Sequence, residues 1–447
     1  MNWDQIKQEA ITHLQNLIRI NTTNPPGNEI AAVRYLSEVL KKEAIPHQIF
    51  EPAPGRASLV ARLKGNGSKR PLLLTSHLDV VPAEEKEWER PPFSGDLADG
   101  FVWGRGALDM KQMTAMELMV FLAAKREGLS LKRDLILAAV ADEEAGCKWG
   151  SRWLVANKPE LIDAEYALNE VGGFSLPIDD HVFYPIGVAE KGFCWFKVTA
   201  RGEPGHGSLP HDQQAVVKIA GAASTLGTRP LSYHLHPVVK KFISFLASHQ
   251  KFPRSLILRL LNRPLLAGFV LKKLFPDKKQ ARSFHAMLHN TAAPTMIEGG
   301  RKVNVIPSSA FLQVDGRIIP GQTVESFLDE IKKVLGDGSG HCPFEFEMME
   351  QANPSETDFD NGFYRLLTQS LIKHDPQAIP VPYLIPGFTD AANYSRLGIK
   401  CYGFTPLKLP PNLRFSDLFH GHNERVPVEA FLFGLKVMED VVREACA

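Results

Sequence analysis

The chain has 447 residues, 44% of them apolar and 23% charged, with a formal net charge of +1. That length predicts two or more domains and a large core, and the composition is that of a globular chain rather than a disordered one. Near-neutral charge excludes a global field that would draw the whole molecule to nucleic acid or an anionic membrane.

In chain order, residues 3–20 set Ile6, Ala10, Leu14, Leu17 and Ile18 at roughly helical spacing. NTTNPPGNE (21–29) breaks that helix, and another begins near Glu29. SLVARL (58–63), PLLLTSHLDVVP (71–82), LILAAVA (135–141) and YALNEV (166–171) read as strands, and KQMTAMELMVFLAAKREG (111–128) between them as a helix stopped by Gly128. This alternation predicts an α/β sheet buried on both faces. Near residue 190 the texture changes. KGFCWFKVTARG (191–202) alternates like a half-exposed strand, and a helix follows from about Asp212. A basic, Leu-rich segment (230–290), an alternating strand (308–319) and an amphipathic helix (323–336) come next. An α+β domain, 189–353, is therefore expected within an α/β domain built from 1–188 and 354–447.

No apolar h-region opens the chain, so no secretory signal is read there. The most hydrophobic stretch, 252–275, is interrupted by Arg259, Arg263 and Pro264, and its uncharged run 264–271 is too short to span a bilayer. The Leu-rich part, 254–275, reads as helical core or dimer packing in preference to a lipid-binding face. Cys147, Cys194, Cys342, Cys401 and Cys446 are scattered and odd in number. They predict neither a disulfide framework nor a cysteine metal site, and fit a reducing, cytoplasmic setting.

Acids and histidines fall at the ends of the strands, where open α/β sheets build their sites. SHLD carries His77 and Asp79, GRGALDMK Asp109, ADEE Glu143 and Glu144, LNEVGG Glu170, and HGHNE His420, His422 and Glu424. Several converging carboxylates without a basic partner would be costly to bury, and a divalent cation removes that cost. Imidazole and carboxylate donors suit zinc, cobalt or manganese. Neighbouring side chains at a strand end point in different directions. One glutamate of the pair can therefore bind an ion while the other takes a proton from a water that the ion acidifies.

These stretches, with RINTTNPPGNE, RGEPGHGSLPH, VNVIPSSAFLQVDGRIIPG and GFTDA, resemble in sequence and order the M20 family of metallopeptidases and amidohydrolases. The resemblance covers nearly the whole chain. It implies a catalytic domain with a mixed, mostly parallel sheet flanked by helices, and an inserted α+β dimerisation or lid domain. It further implies a homodimer and two divalent ions, zinc first and cobalt or manganese otherwise. His77, Asp109, Glu144, Glu170 and His420 would be the ligands, with Asp109 bridging and His422 the alternative to His420. Asp79 would orient His77, and Glu143 would be the general base. His206 would reach the other subunit's site to stabilise an oxyanion, or else cap a turn in its glycine-rich loop. Asn304, Arg317, Gly387 and Thr389 would meet the substrate, Arg317 gripping its carboxylate or else forming a strand salt bridge. Gln112 stands where many relatives have glycine. The long insert resembles the carboxypeptidase S and N-fatty-acyl-amino-acid hydrolase branch, which implies a bulky acyl group. The expected activity is metal-dependent hydrolysis of an amide or peptide bond beside a free carboxylate, in a peptide or N-acyl amino acid. The alternative is a non-catalytic, metal-stabilised dimer that binds such molecules. No nucleic-acid partner and no membrane span are expected.

Overall fold

The apolar run Leu135–Val140 forms a strand buried at every residue, as does Leu72–His77 beside it. Continuous burial, rather than alternation, is what a sheet covered on both faces requires. The computed structural model describes residues 3–275, 277–336 and 341–447. It divides into two compact units, one of Met1–Val188, Thr357–Tyr383 and Thr389–Ala447, the other of Ala189–Glu356 and Leu384–Phe388.

Among the strands of the first unit's ten-stranded sheet are β1 (His47–Ala53), β2 (Arg56–Leu63), β3 (Leu72–His77), β4 (Leu135–Val140), β5 (Tyr166–Asn169), β6 (His181–Glu190) and β7 (Lys400–Gly403). They run in the order β1-β2-β4-β3-β5-β7-β6. β4, β3, β5 and β7 pair in parallel, while β1-β2, β2-β4 and β7-β6 are antiparallel. The sheet is mixed, with its parallel pairings gathered at the centre. Parallel neighbours share a direction, so β3, β4 and β5 end along one edge. His77 is in register with Val140, and Leu74 with both Leu137 and Leu168.

Helices α1 (Trp3–Arg19), α2 (Glu29–Lys42), α3 (Lys111–Arg126) and α4 (Val428–Cys446) belong to the same unit. α1 buries Ile6, Ala10, Leu14, Leu17 and Ile18, the apolar set at helical spacing. α3 contacts α1, α4 and β3 and is buried at every residue from Lys111 to Ala124. Two of those residues are ionisable. Lys111 donates from Nζ to the carbonyl of Ile20 at 2.8 Å, whereas neither carboxyl oxygen of Glu117 makes a hydrogen bond of good geometry. The helix stops two residues before Gly128, whose φ of 60° takes the left-handed turn that follows.

The second unit carries a four-stranded antiparallel sheet in the order Thr291–Gly299, Ser309–Ile318, Gly192–Arg201, Phe344–Ala352. Ser309–Ile318 alternates between half-buried and buried along its whole length. Its inward Leu312 and Val314 pack with Phe196 and Val198 against Ile219, Leu226, Phe327 and Ile331 of two helices, Ala215–Thr228 and Val324–Leu335. The segment read as Leu-rich core forms short helices, including Arg254–Leu260 and Pro264–Lys273. Only part of it is core. Leu261, Ala267 and Val270 are buried, but Leu256, Leu265, Leu266, Phe269 and Leu274 are exposed. Among the described residues no helix is long and apolar enough to cross a membrane.

Candidate metal centre

Three adjacent parallel strands deliver the site. β3 ends in His77, Glu170 follows β5, and Glu143 and Glu144 follow β4. Strand alternation does not separate the two glutamates, contrary to the sequence expectation. The chain leaves β4 at Asp142, which takes the left-handed conformation (φ 69°), and Glu143–Ala145 form one 3₁₀ turn. Aspartate tolerates that conformation, and successive residues on a 3₁₀ turn point about 120° apart. Asp142 is locked in place from several sides. Arg56 Nη2 donates to its Oδ1 at 2.7 Å and to Glu29 Oε1 at 2.7 Å, Asn24 Nδ2 donates to Oδ1 at 3.1 Å, and the Trp149 amide donates to Oδ2 at 3.0 Å.

His77 is fully buried. Its Nε2 lies 3.1 Å from Asp109 Oδ1 and 3.6 Å from Glu170 Oε2. Its Nδ1 lies 3.0 Å from the carbonyl of Asp79 and 3.5 Å from that residue's Oδ1. Asp79 also accepts from Asn24 Nδ2 at 2.8 Å and from the amides of Glu143 and Glu144 at 3.1 Å each, so one carboxylate braces both the imidazole and the acidic turn. His420 Nε2 lies 3.0 Å from Asp109 Oδ2 and 3.2 Å from Glu144. His422 is exposed. Donor atoms of His77, Asp109 and Glu144 fall within 4.8 Å of one another, as do those of His77, Glu143 and Glu170.

Two supporting acids were less legible from sequence. Glu424 has no role in the expected ligand set. In the fold it is buried, ion-pairs with Arg105 Nη1 at 2.7 Å, and accepts from the amides of Gly106 (3.1 Å), Leu108 (2.7 Å) and Asp109 (3.0 Å). It therefore shapes the loop that presents Asp109. Asp390, the acid of GFTDA, is buried and accepts from the Ser151 hydroxyl. Its neighbour Thr389 accepts from Asn169 Nδ2 at 2.9 Å.

The other candidates lie in the second unit. Residues 205–206 pair with 305–306, which sets His206 beside the Asn304 loop, and both side chains are exposed. His206 Nδ1 lies 2.7 Å from the Ser208 hydroxyl. Arg317 donates through Nε (2.9 Å) and Nη2 (3.1 Å) to Asp315, the strand salt bridge weighed above. Gly387 is half-buried.

The donor set fits divalent cations. Burial raises Glu143 well above the usual carboxylate range, with Glu170 adding to it. Burial, then Asp109, lifts Glu144 to about 6, and burial lifts Glu170 to about 7. Burial opposes charge on His420, yet Asp109 and Glu144 raise it to about 10; His77 is likewise raised, against burial, by Glu170 and Asp109. The cluster thus draws positive charge to two places, His77 and His420, through nitrogen and oxygen donors of the kind zinc, cobalt and manganese accept.

The sequence pattern of peptidase family M20/M25/M40 matches residues 73–444. The N-fatty-acyl-amino acid synthase/hydrolase PM20D1 of Mus musculus is 30% identical over 395 residues, covering 85% of this chain and 75% of its own. Aminoacylase-1 of Sus scrofa is 28% identical over 434 residues, covering 96% and 93%. The crystal structure of an M20 family metallo-carboxypeptidase, Sso-CP2 from Sulfolobus solfataricus, superposes with a TM-score of 0.74 at 18% identity over 97% of this chain and 98% of that one.

Proposed function

We propose, on the premise that the chain belongs to peptidase family M20/M25/M40 and is a metal-dependent hydrolase of peptide or amide bonds, that its substrate carries a free carboxylate beside the bond cleaved. Peptides and N-acyl amino acids both meet that description. The observation that carries the reading is the convergence of His77, Asp109, Glu143, Glu144, Glu170 and His420 at one edge of the sheet. His77, Asp109 and Glu170 would hold one ion and Asp109, Glu144 and His420 a second. Ions bound there supply Lewis acidity, polarising the scissile carbonyl and acidifying water.

The chain's own groups do the rest. Asp79 fixes the His77 ring through Nδ1, leaving Nε2 toward Asp109 and Glu170. By accepting from both amides of the 3₁₀ turn it also holds Glu143 at the centre. Glu143 is assigned as general base: it takes a proton from the attacking water and passes it to the departing amine nitrogen. Asn304 and Arg317 are assigned to the substrate, Arg317 through the guanidinium donors Asp315 does not occupy, and Gly387 and Thr389 to the pocket wall. The assembly proposed is a homodimer in which His206 of each chain serves the other's site and stabilises the oxyanion. A bulky acyl group is favoured by the likeness to the N-fatty-acyl relative and by the long insert at 230–290.

The test is hydrolysis by wild type and Glu143→Ala, both metal-analysed, on dipeptides and on N-acyl amino acids from acetyl to long-chain acyl. Turnover lost with metal retained supports the assignment; undiminished turnover removes Glu143 as the base. Bound metal with no turnover by wild type on any carboxylate-bearing amide would mark the non-catalytic binder instead.

A further inference from the structure

The near-zero charge of the whole chain conceals a strong local imbalance. Between residues 213 and 297 Asp277 stands as the sole acid among thirteen lysines and arginines, a net +12 in a chain that totals +1, so the remainder is net −11. The same stretch holds the exposed apolar side chains of the second unit's helices. Leu265 is 96% exposed, Phe252 80% and Phe269 59%. In Pro264–Lys273 the division is by helix face. Ala267 and Val270 turn inward, Leu265 and Phe269, one turn apart, face out, and Lys272 and Lys273 are exposed beside them. Arg259 and Arg263 are exposed on the preceding turns.

Glu330 and Glu356 pack against residues 232–236 and 290 of this stretch, but within residues 252–275 there is no acid, and exposed aliphatic and aromatic groups flanked by lysines and arginines have the make-up of an interfacial helix at a negatively charged lipid surface. A second copy of the chain fits poorly, because a two-fold contact through this face would set the positive patch against itself. We infer that the face formed by residues 252–275 docks onto anionic lipid, with Phe252, Leu265 and Phe269 entering the acyl boundary and the flanking lysines and arginines meeting the headgroups. This contact uses none of the residues of the acidic centre and is independent of the substrate assigned above.

The experiment is flotation of the full chain with phosphatidylcholine vesicles, with and without phosphatidylglycerol. The chain is expected to float with the anionic vesicles, to be released by salt, and to bind the neutral ones far less. L265E/F269E is expected to abolish flotation and K272A/K273A to weaken it about thirtyfold. All four side chains are exposed, so unchanged melting temperatures confirm that the variants fold. No flotation with anionic vesicles, or flotation unaltered by L265E/F269E, overturns the inference. It is also overturned if sedimentation velocity shows that L265E/F269E splits a wild-type oligomer while neither form floats, since the face then covers a second copy.

Discussion

Replacing Glu424 by glutamine keeps the shape of a buried group while removing its charge and half of its accepting capacity. Oε1 receives the amides of Leu108 and Asp109, and Oε2 receives the Gly106 amide and the Arg105 guanidinium. A carboxamide can satisfy one of those pairs. Whichever way it turns, its NH₂ faces two donors, and Arg105, only 3% exposed, loses its counter-charge. Removing one partner of a buried ion pair costs about 3–5 kcal/mol, and each stranded donor about 1–3 kcal/mol before relaxation. A loss of about 4 kcal/mol is a large share of the usual 5–15 kcal/mol, and it lowers the melting temperature by about 4 °C in a chain of 447 residues. Because the released loop carries Asp109, metal affinity is expected to fall about 10–100-fold. Thermal melts and metal titration of Glu424→Gln measure both effects. Arg105→Met on top of Glu424→Gln should recover part of the stability, since the stranded charge goes with it. A single variant that melts within about 2 °C of wild type and holds its full metal complement would refute the reasoning.

Glu143→Gln is expected to lower turnover about 10²–10⁴-fold with metal content unchanged; metal lost in parallel would make Glu143 a ligand instead. Chelation should destabilise the first unit by about 4 kcal/mol when the metal had been at about a thousand times its dissociation constant, and added zinc, cobalt or manganese should restore it. An unchanged melt would separate stability from metal. Glu117 offers a pH test. Burial raises its carboxyl well above the ordinary value, with Ser76 and Thr75 offsetting only part. The folded state keeps a proton that the unfolded chain releases, so stability is lost as pH rises above the ordinary carboxylate value. Glu117→Gln, with nothing to titrate, should lose less stability than wild type between about pH 5 and about pH 8. Parallel denaturation profiles would show that Glu117 is not held protonated.

The central strands and the acids at their ends could be read from sequence because the signal is local. An apolar run stops at a polar residue, and a parallel sheet collects such stops on one edge. His77, Glu144 and Glu170 come together for that reason. What escaped is set by long-range partners or by backbone sign. Nothing in ADEE says that Asp142 turns left-handed, because the reason sits in Arg56, Glu29 and Asn24. HGHNE shows a glutamate but not that three amides of the distant Asp109 loop close on it. Likewise, a leucine-rich composition does not disclose which leucines face water; at Leu265 and Leu266 that depends on how the short helices fold back.

His77 and Glu170 precede the second unit in the chain, while β7, which extends the parallel sheet beyond β5, and His420 come after it. The first unit is therefore stitched from segments made at widely separated moments of synthesis. Until the last strand and the closing loop have emerged, Asp109 and Glu144 lack His420, and mutually repelling acids gather without it. On the ligand set proposed above, a second ion would find its full set of donors only at the end of translation, and a chain ending before residue 400 would hold an incomplete sheet.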